Sequence, residues 1–237
     1  MMHARPKKPN RHWLLVTALL LLAGPLWAQH NKPAGYQAKY QILRGGKPTA
    51  QQVTELTISN NRYTLKDHTE GTHGLASMTG FERTESTQFT LQGLAILTIE
   101  HRMKQTVAFS KKAYQFRAEP GSTTIRGQHK KKPFQVTAEV RPVSAHMMPW
   151  WLGHQVCNGL LPKAVTVLKS KQLRTYHFQI VEEADGLVRM DRIYPAGTDK
   201  STSTWLDTKQ HCLPVKTRHR EGDDPVIETV LQSHQFH

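Results

Sequence analysis

Apolar and polar residues alternate with a period of two along most of the chain from Tyr36 onward, and residues suited to tight turns interrupt the alternation. Such a pattern marks β-strands with one face buried. Tyr36, Ala38, Tyr40 and Ile42 form the first run, and Gly45-Gly46 supplies the turn behind it. A turn centred on Asn60-Asn61 sets Ile58 opposite Tyr63, Leu56 opposite Leu65 and Ser59 opposite Arg62, gathering four apolar side chains on one face. At Gln92-Gly93 the same reasoning pairs Leu91 with Leu94 and Phe89 with Ile96. At Lys111-Lys112 it pairs Phe109 with Tyr114 and Val107 with Phe116, and at Pro120-Gly121 it sets Phe116 across from Ile125. Residues 127–133 read as a basic loop ahead of a strand carrying Phe134, Val136, Ala138 and Val140. Further runs fall at 164–168, at Tyr176, Phe178 and Ile180, and at 201–206, 213–217 and 226–231. Asp185-Gly186 is a strong turn signal that pairs Val181 with Met190 but sets Glu183 against Val188.

Residues 149–162, PWWLGHQVCNGLLP, break the pattern. Pro149 suits the first position of a helix, and Trp151 or Leu152, Val156 and Leu160 then recur at helical spacing. An apolar stripe must be buried against something, and with strands on both sides its partner is the concave face of a curled sheet. The expectation is an all-β fold: a large curled antiparallel sheet, open or closed into a barrel, a meander of about 10–12 strands, with one short helix packed on it. Trp150 and Trp151 diverge by about 100° on a helix, so one ring is expected toward the sheet and the other at a rim.

The first 28 residues carry Arg5, Lys7, Lys8 and Arg11, then an uncharged run from Trp13 to Ala23 and a Gly24-Pro25 break. They read as a secretory signal peptide cleaved after Ala28. The alternative is a retained anchor, although the run falls short of the ~20 residues a spanning helix needs. No transmembrane segment is expected after cleavage. The remaining 209 residues form a single domain and hold 28 of the 32 Lys and Arg against all 18 acids, a net charge of +10. That balance favours anionic partners such as lipid head groups or acidic polymers. Nucleic acid is the poorest candidate outside the cytoplasm. Cys157 and Cys212 are the only cysteines. In an oxidising compartment they are a candidate disulfide closing a loop of about 55 residues, the alternative being two buried thiols that never meet.

Candidate chemistry is sparse. His154, Cys157, His211 and Cys212 match the inventory of a tetrahedral zinc site, but a disulfide would consume both sulfurs. His68 and His73 read as members of a polar loop with Asp67 and Glu70. Glu82 and Glu85 fall on opposite faces of a strand and read as charged outer residues. No Gly-x-Ser-x-Gly elbow occurs. No catalytic residue, metal site or cofactor is therefore expected. Trp150, Trp151, Leu152 and Val156 are the candidate ligand-binding residues, and Lys130, Lys131 and Lys132 the candidate contacts to an anionic surface.

Three stretches resemble the exported bacterial family of domain of unknown function 3108. They are Tyr36-Gln-Ala-Lys-Tyr-Gln-Ile-Leu-Arg running into Gly-Gly-Lys-Pro; Gly74-Leu75-Ala76-Ser77 with Glu82-Arg83-Thr84-Glu85-Ser86 and Leu91-Gln92-Gly93-Leu94; and Thr204-Trp205-Leu206-Asp207 before Leu213-Pro214-Val215-Lys216. The resemblance implies export and a β-rich domain, and no catalytic residues. Near the start of the central helix, where the family keeps a polar residue, this chain has Trp150-Trp151-Leu152-Gly153-His154. More loosely, a curled sheet covered by a helix looks like the periplasmic carriers of lipoproteins. The leading expectation is a non-catalytic periplasmic protein that holds an apolar or acyl-bearing ligand, with residues 149–162 as its cover. The alternatives are an envelope scaffold that binds an anionic polymer or protein partner through basic loops and, more weakly, an envelope enzyme.

Overall fold

A computed structural model of the chain describes residues 33–161 and 163–237. The expected signal peptide lies outside the described residues. Eight strands run in sequence from the first: β1 (Tyr36–Arg44), β2 (Lys47–Ser59), β3 (Arg62–Gly71), β4 (Glu82–Gln92), β5 (Ala95–Val107), β6 (Ser110–Ala118), β7 (Thr124–His129) and β8 (Lys132–Thr137), with a short helix α1 (Gly74–Met78) between β3 and β4. The two-residue strand β9 (Val143–Ser144) leads through a 3-10 turn (Ala145–Met147) into α2 (Met148–Cys157). Six strands follow: β10 (Ala164–Lys169), β11 (Gln172–Ala184), β12 (Leu187–Ile193), β13 (Lys200–Asp207), β14 (Leu213–Glu221) and β15 (Ile227–Phe236).

All fifteen strands share one sheet. Its centre is β1, which pairs with β2 on one side and with β15 on the other, so a forward meander to β8 and a backward meander to β10 meet there. Every pair is antiparallel except β9–β10. Residues 127–133 form the tip of the β7–β8 hairpin rather than a loop, and the described residues hold more strands than the 10–12 expected. Lys130 and Lys131 both take positive φ (51° and 65°) and make its two-residue turn. The outer strand ends at Thr137, so Ala138 and Val140 lie beyond it.

The sheet is not closed by hydrogen bonds, yet its two ends approach each other. Leu168 of β10 packs with Tyr114, Phe116 and Ile125 of β6 and β7, and Ser144 of β9 meets His101 of β5. A sheet of this many twisted strands must curl, and the curl supplies a hollow side.

Predicted registers fare unequally. The Asn60-Asn61 hairpin pairs Ile58 with Tyr63 and Leu56 with Leu65 as expected, with both turn residues at positive φ. The next turn falls at Gly93-Leu94, one residue late, so Leu91 meets Ile96 and Phe89 meets Thr98, and a bulge beyond that pair sets Gln88 against Glu100. The β5–β6 turn falls at Ala108-Phe109 instead of Lys111-Lys112. Phe109 is fully exposed there, Tyr114 pairs with Met103, and Phe116 pairs with His101. Ile125 pairs with Ala118 rather than Phe116. At Asp185-Gly186, Glu183 does face Val188. A bulge at Val181 then brings Ile180 opposite Met190, which returns apolar side chains to the inside.

Helix α2 lies inside the curl and is buried on all sides: Met148, Trp150, Trp151, Leu152, Gly153, His154 and Gln155 are all covered. Both tryptophans are therefore buried, contrary to the expectation of one at a rim. Their divergence points them at opposite walls, Trp150 to Phe89 of β4 (ring centroids 4.8 Å) and Trp151 to Phe178 of β11 (6.1 Å). The helix starts at Met148, one residue before Pro149, and ends earlier than expected. Gly159 at φ +70° receives the chain, the Leu160 N–H bonds to the Gln155 carbonyl (3.0 Å) and the Gly159 N–H to that of Val156 (2.9 Å). This is a glycine stop, and it leaves Leu160 outside the helix and exposed. Gly153 is the point of closest approach to the sheet, since a Cβ there would sit 2.3 Å from the Cys212 carbonyl oxygen. Beside it, Cys157 and Cys212 are joined as a disulfide.

Candidate functional site

The hollow side is apolar where α2 fills it and polar beside the start of that helix. Strand alternation sets both halves. In β3, Tyr63, Leu65, Asp67 and Thr69 share the inner face; in β4, Phe89, Thr87, Glu85 and Arg83 do. Asp67 and Glu85 thus point inward. Asp67, His68 and Glu70 belong to β3 and not to a loop, with His68 on the outer face 3.9 Å from Glu82. Glu82 and Glu85 do lie on opposite faces, but only Glu82 is an outer residue. An open cavity of about 1220 Å³ lies among these groups and the N-terminal part of α2, bordered by Tyr36, Tyr40, Trp150, Leu152, Tyr176 and Phe178 together with the polar side chains below.

The polar end is a chain of hydrogen-bonding groups. Asp67 Oδ2 lies 3.3 Å from His146 Nε2 and accepts from Gln52 Nε2 at 2.9 Å. Thr87 Oγ1 lies 2.9 Å from Nδ1 of both His146 and His101. Ser144 Oγ lies 3.2 Å from His101 Nδ1 and accepts from the His146 N–H. His101 Nε2 faces Glu85 Oε1 at 3.8 Å, and Glu85 pairs with Arg83 at 2.8 Å.

The two imidazoles are driven apart in acidity. Burial pushes the His101 pKa down, and the neighbouring His146 charge lowers it further, to about 3, against a weaker pull upward from Glu85. Burial also opposes charge on His146, but the Asp67 carboxylate, with help from Glu85, outweighs it and holds that pKa above the usual value. Burial therefore keeps His101 neutral at neutral pH, while the Asp67 carboxylate favours the protonated form of His146. When His146 is protonated, its Nδ1–H donates to Thr87 Oγ1, the threonine hydroxyl donates to His101 Nδ1, and His101 carries its proton on Nε2, toward Glu85. Stability should therefore fall as pH drops below the ordinary histidine value of about 6.5, because the unfolded chain binds a proton at His101 that the folded one refuses. Between pH 6.5 and 5 we expect a loss approaching about 1.4 kcal/mol per unit in urea unfolding, and a flatter profile in His101→Asn.

Ser144, His101 and Glu85 have the order of a hydrolytic triad. Glu85 Oε1, 3.8 Å from His101 Nε2, is beyond hydrogen-bond reach and does not orient the imidazole as a triad requires, and burial disfavours the charged imidazole that a base step would form. Among the described residues no three imidazole, carboxylate or thiol groups gather as a metal set. The disulfide takes both sulfurs of the His154, Cys157, His211, Cys212 inventory. The arrangement can hold one proton at His146 and present polar groups to whatever enters.

Of the residues singled out from sequence, Trp150 and Leu152 border the cavity, while Trp151 and Val156 pack in the core. Lys130, Lys131 and Lys132 are exposed around the tip of the β7–β8 hairpin and do not border the cavity. Asp67, Thr87, His101, Ser144 and His146 were not anticipated.

The fold places the chain among β-barrel-like proteins: one long antiparallel sheet curled about a helix. A solved structure with this architecture is the beta-barrel-like protein of domain of unknown function DUF1849 from Brucella abortus. It is 11% identical, with a TM-score of 0.52 over 86% of this chain and 98% of that one. At that identity the likeness is one of fold. No family model matches the chain, and no curated protein matches it in sequence.

Proposed function

We propose that the protein is an exported, non-catalytic binder that holds an apolar or acyl-bearing ligand in the cavity beside α2. The observation that carries this reading is the cavity itself. At about 1220 Å³ it exceeds the volume most small ligands need, and it is bordered by the aromatic rings of Tyr36, Tyr40, Trp150, Tyr176 and Phe178. Burial raises the phenol pKa values of Tyr36 and Tyr40, which keeps both neutral, and the Tyr40 hydroxyl donates to the Pro214 carbonyl (2.9 Å). Export to an oxidising, periplasmic compartment is supported by the basic and uncharged N-terminal segments and by the disulfide. Among the described residues no helix is long and apolar enough to cross a membrane. Titrating residues 29–237 with a fluorescent sixteen-carbon alkyl probe should give saturable binding, displaced by long-chain and not by four-carbon competitors. Linear, non-saturating uptake would defeat the reading.

The exposed Lys130-Lys131-Lys132 hairpin favours a second reading, docking on an anionic polymer or envelope surface. Changing all three lysines to Ser separates the two: it removes polymer binding at low salt and leaves probe uptake intact.

A further inference from the structure

Three carboxylates border the cavity, and each is already partnered. Asp67 faces His146, Glu85 pairs with Arg83, and Glu221 pairs with Lys200 and lies 3.7 Å from His219. The positive side chains are more numerous. Arg192 stands apart from the others because it is built into the inner face of β12, in phase with Val188 and Met190. Arg189 and Asp191, in the opposite phase, pair with each other at 2.8 Å. Among the described residues no carboxylate lies within ion-pair distance of Arg192, and its Nε is buried without an acceptor.

The guanidinium is nevertheless fixed in place. It lies over the Tyr176 ring, 3.3 Å from the centroid, and over the Tyr194 ring at 4.3 Å. The Tyr194 hydroxyl is tied to Thr202 Oγ1 (2.8 Å), and Thr202 in turn to His219 Nδ1 (2.9 Å). Two aromatic faces orient the cation without neutralising it, since a ring offers no acceptor in the guanidinium plane. A planar fork of donors held this way suits a carboxylate or phosphate oxygen pair. The residue across the ladder from Arg192 is Phe178, so an apolar wall begins at the cation.

We infer that Arg192 is the anchor for the head of an anionic amphiphile, whose carboxylate or phosphate bonds the guanidinium while its chain lies along the aromatic wall. This rests on the cavity-binding reading above and names the chemical class of the ligand. The test is titration of residues 29–237 with dodecanoate, dodecyl phosphate and dodecanol, each below its micellar concentration. The two charged compounds, or one of them, should bind at least about tenfold more tightly than the alcohol. Tighter dodecanoate points to a fatty-acid-type cargo, and tighter dodecyl phosphate to a phospholipid-type one. Arg192→Gln should abolish the preference, read as the ratio of charged-compound to dodecanol affinity, while Arg192→Lys should keep part of it. Equal binding of all three by the unmodified protein overturns the anchor while sparing the cavity reading, and needs no variant to fold. A charge preference that survives Arg192→Gln, in a variant with unaltered circular dichroism, also overturns it. If none of the three binds, both readings fall.

Discussion

Asp67→Asn lowers the stability of the folded protein by about 2–3 kcal/mol at pH 6, and the deficit narrows as the pH is raised toward 9. The His146 side chain is buried, which disfavours its charged form; the facing Asp67 carboxylate is the main group that favours it. Removing one partner of a buried pair leaves an uncompensated charge, a loss of about 3–5 kcal/mol when the charge cannot escape. Here the imidazole can release its proton, which limits the loss. The sign with pH follows from the raised folded-state value. The His146 contribution is fully present below the ordinary histidine pKa and disappears as pH rises through the higher folded one. Urea unfolding of wild type and Asp67→Asn at pH 6 and pH 9 measures both limbs. A deficit that does not change with pH would mean that Asp67 acts only through its hydrogen bond from Gln52.

Replacing both cysteines by Ser costs about 3–4 kcal/mol, because the Cys157–Cys212 bond closes a loop of 55 residues in the unfolded chain. Its position adds a local consequence. The bond ties the last helical residue of α2 to the residue before β14, where Gly153 already packs against the Cys212 carbonyl. With it gone, α2 can lift from the sheet, and Trp150 and Leu152 leave the cavity border. Thermal unfolding with and without reductant checks the first effect, and probe binding by the Cys157→Ser/Cys212→Ser variant checks the second. Identical melting in both conditions would show that the bridge contributes nothing.

The curled sheet and the helix within it were legible because period-two alternation and a single helical-period stretch leave few alternatives. Registers were legible where turn chemistry marked the turn, as at Asn60-Asn61. They were not where the turn fell on Ala108-Phe109, since nothing about alanine announces the positive φ (49°) it adopts there. That error was an even slip, so it kept Tyr114 and Phe116 on the inner face while concealing that His101 is the residue opposite Phe116. Asp67 was within reach: once Leu65 points inward, the residue two positions on must follow. His101 was not, because the bulge opposite Phe89 changes the phase of β5 between Thr98 and His101. His146 lies in a 3-10 turn, where no alternation applies. Arg192 shares the phase of Val188 and Met190, which marked it as an inward cation, but its aromatic neighbours come from β11 and from beyond β12 and emerge only from the folded sheet.

Native mass spectrometry of the protein, purified gently from cells that express it, tests the central claim most directly. We expect a population heavier than the polypeptide by the mass of one acyl-bearing anion, and loss of that population in Arg192→Gln. A spectrum showing only the bare polypeptide, from protein that also fails to take up the alkyl probe, would contradict the account.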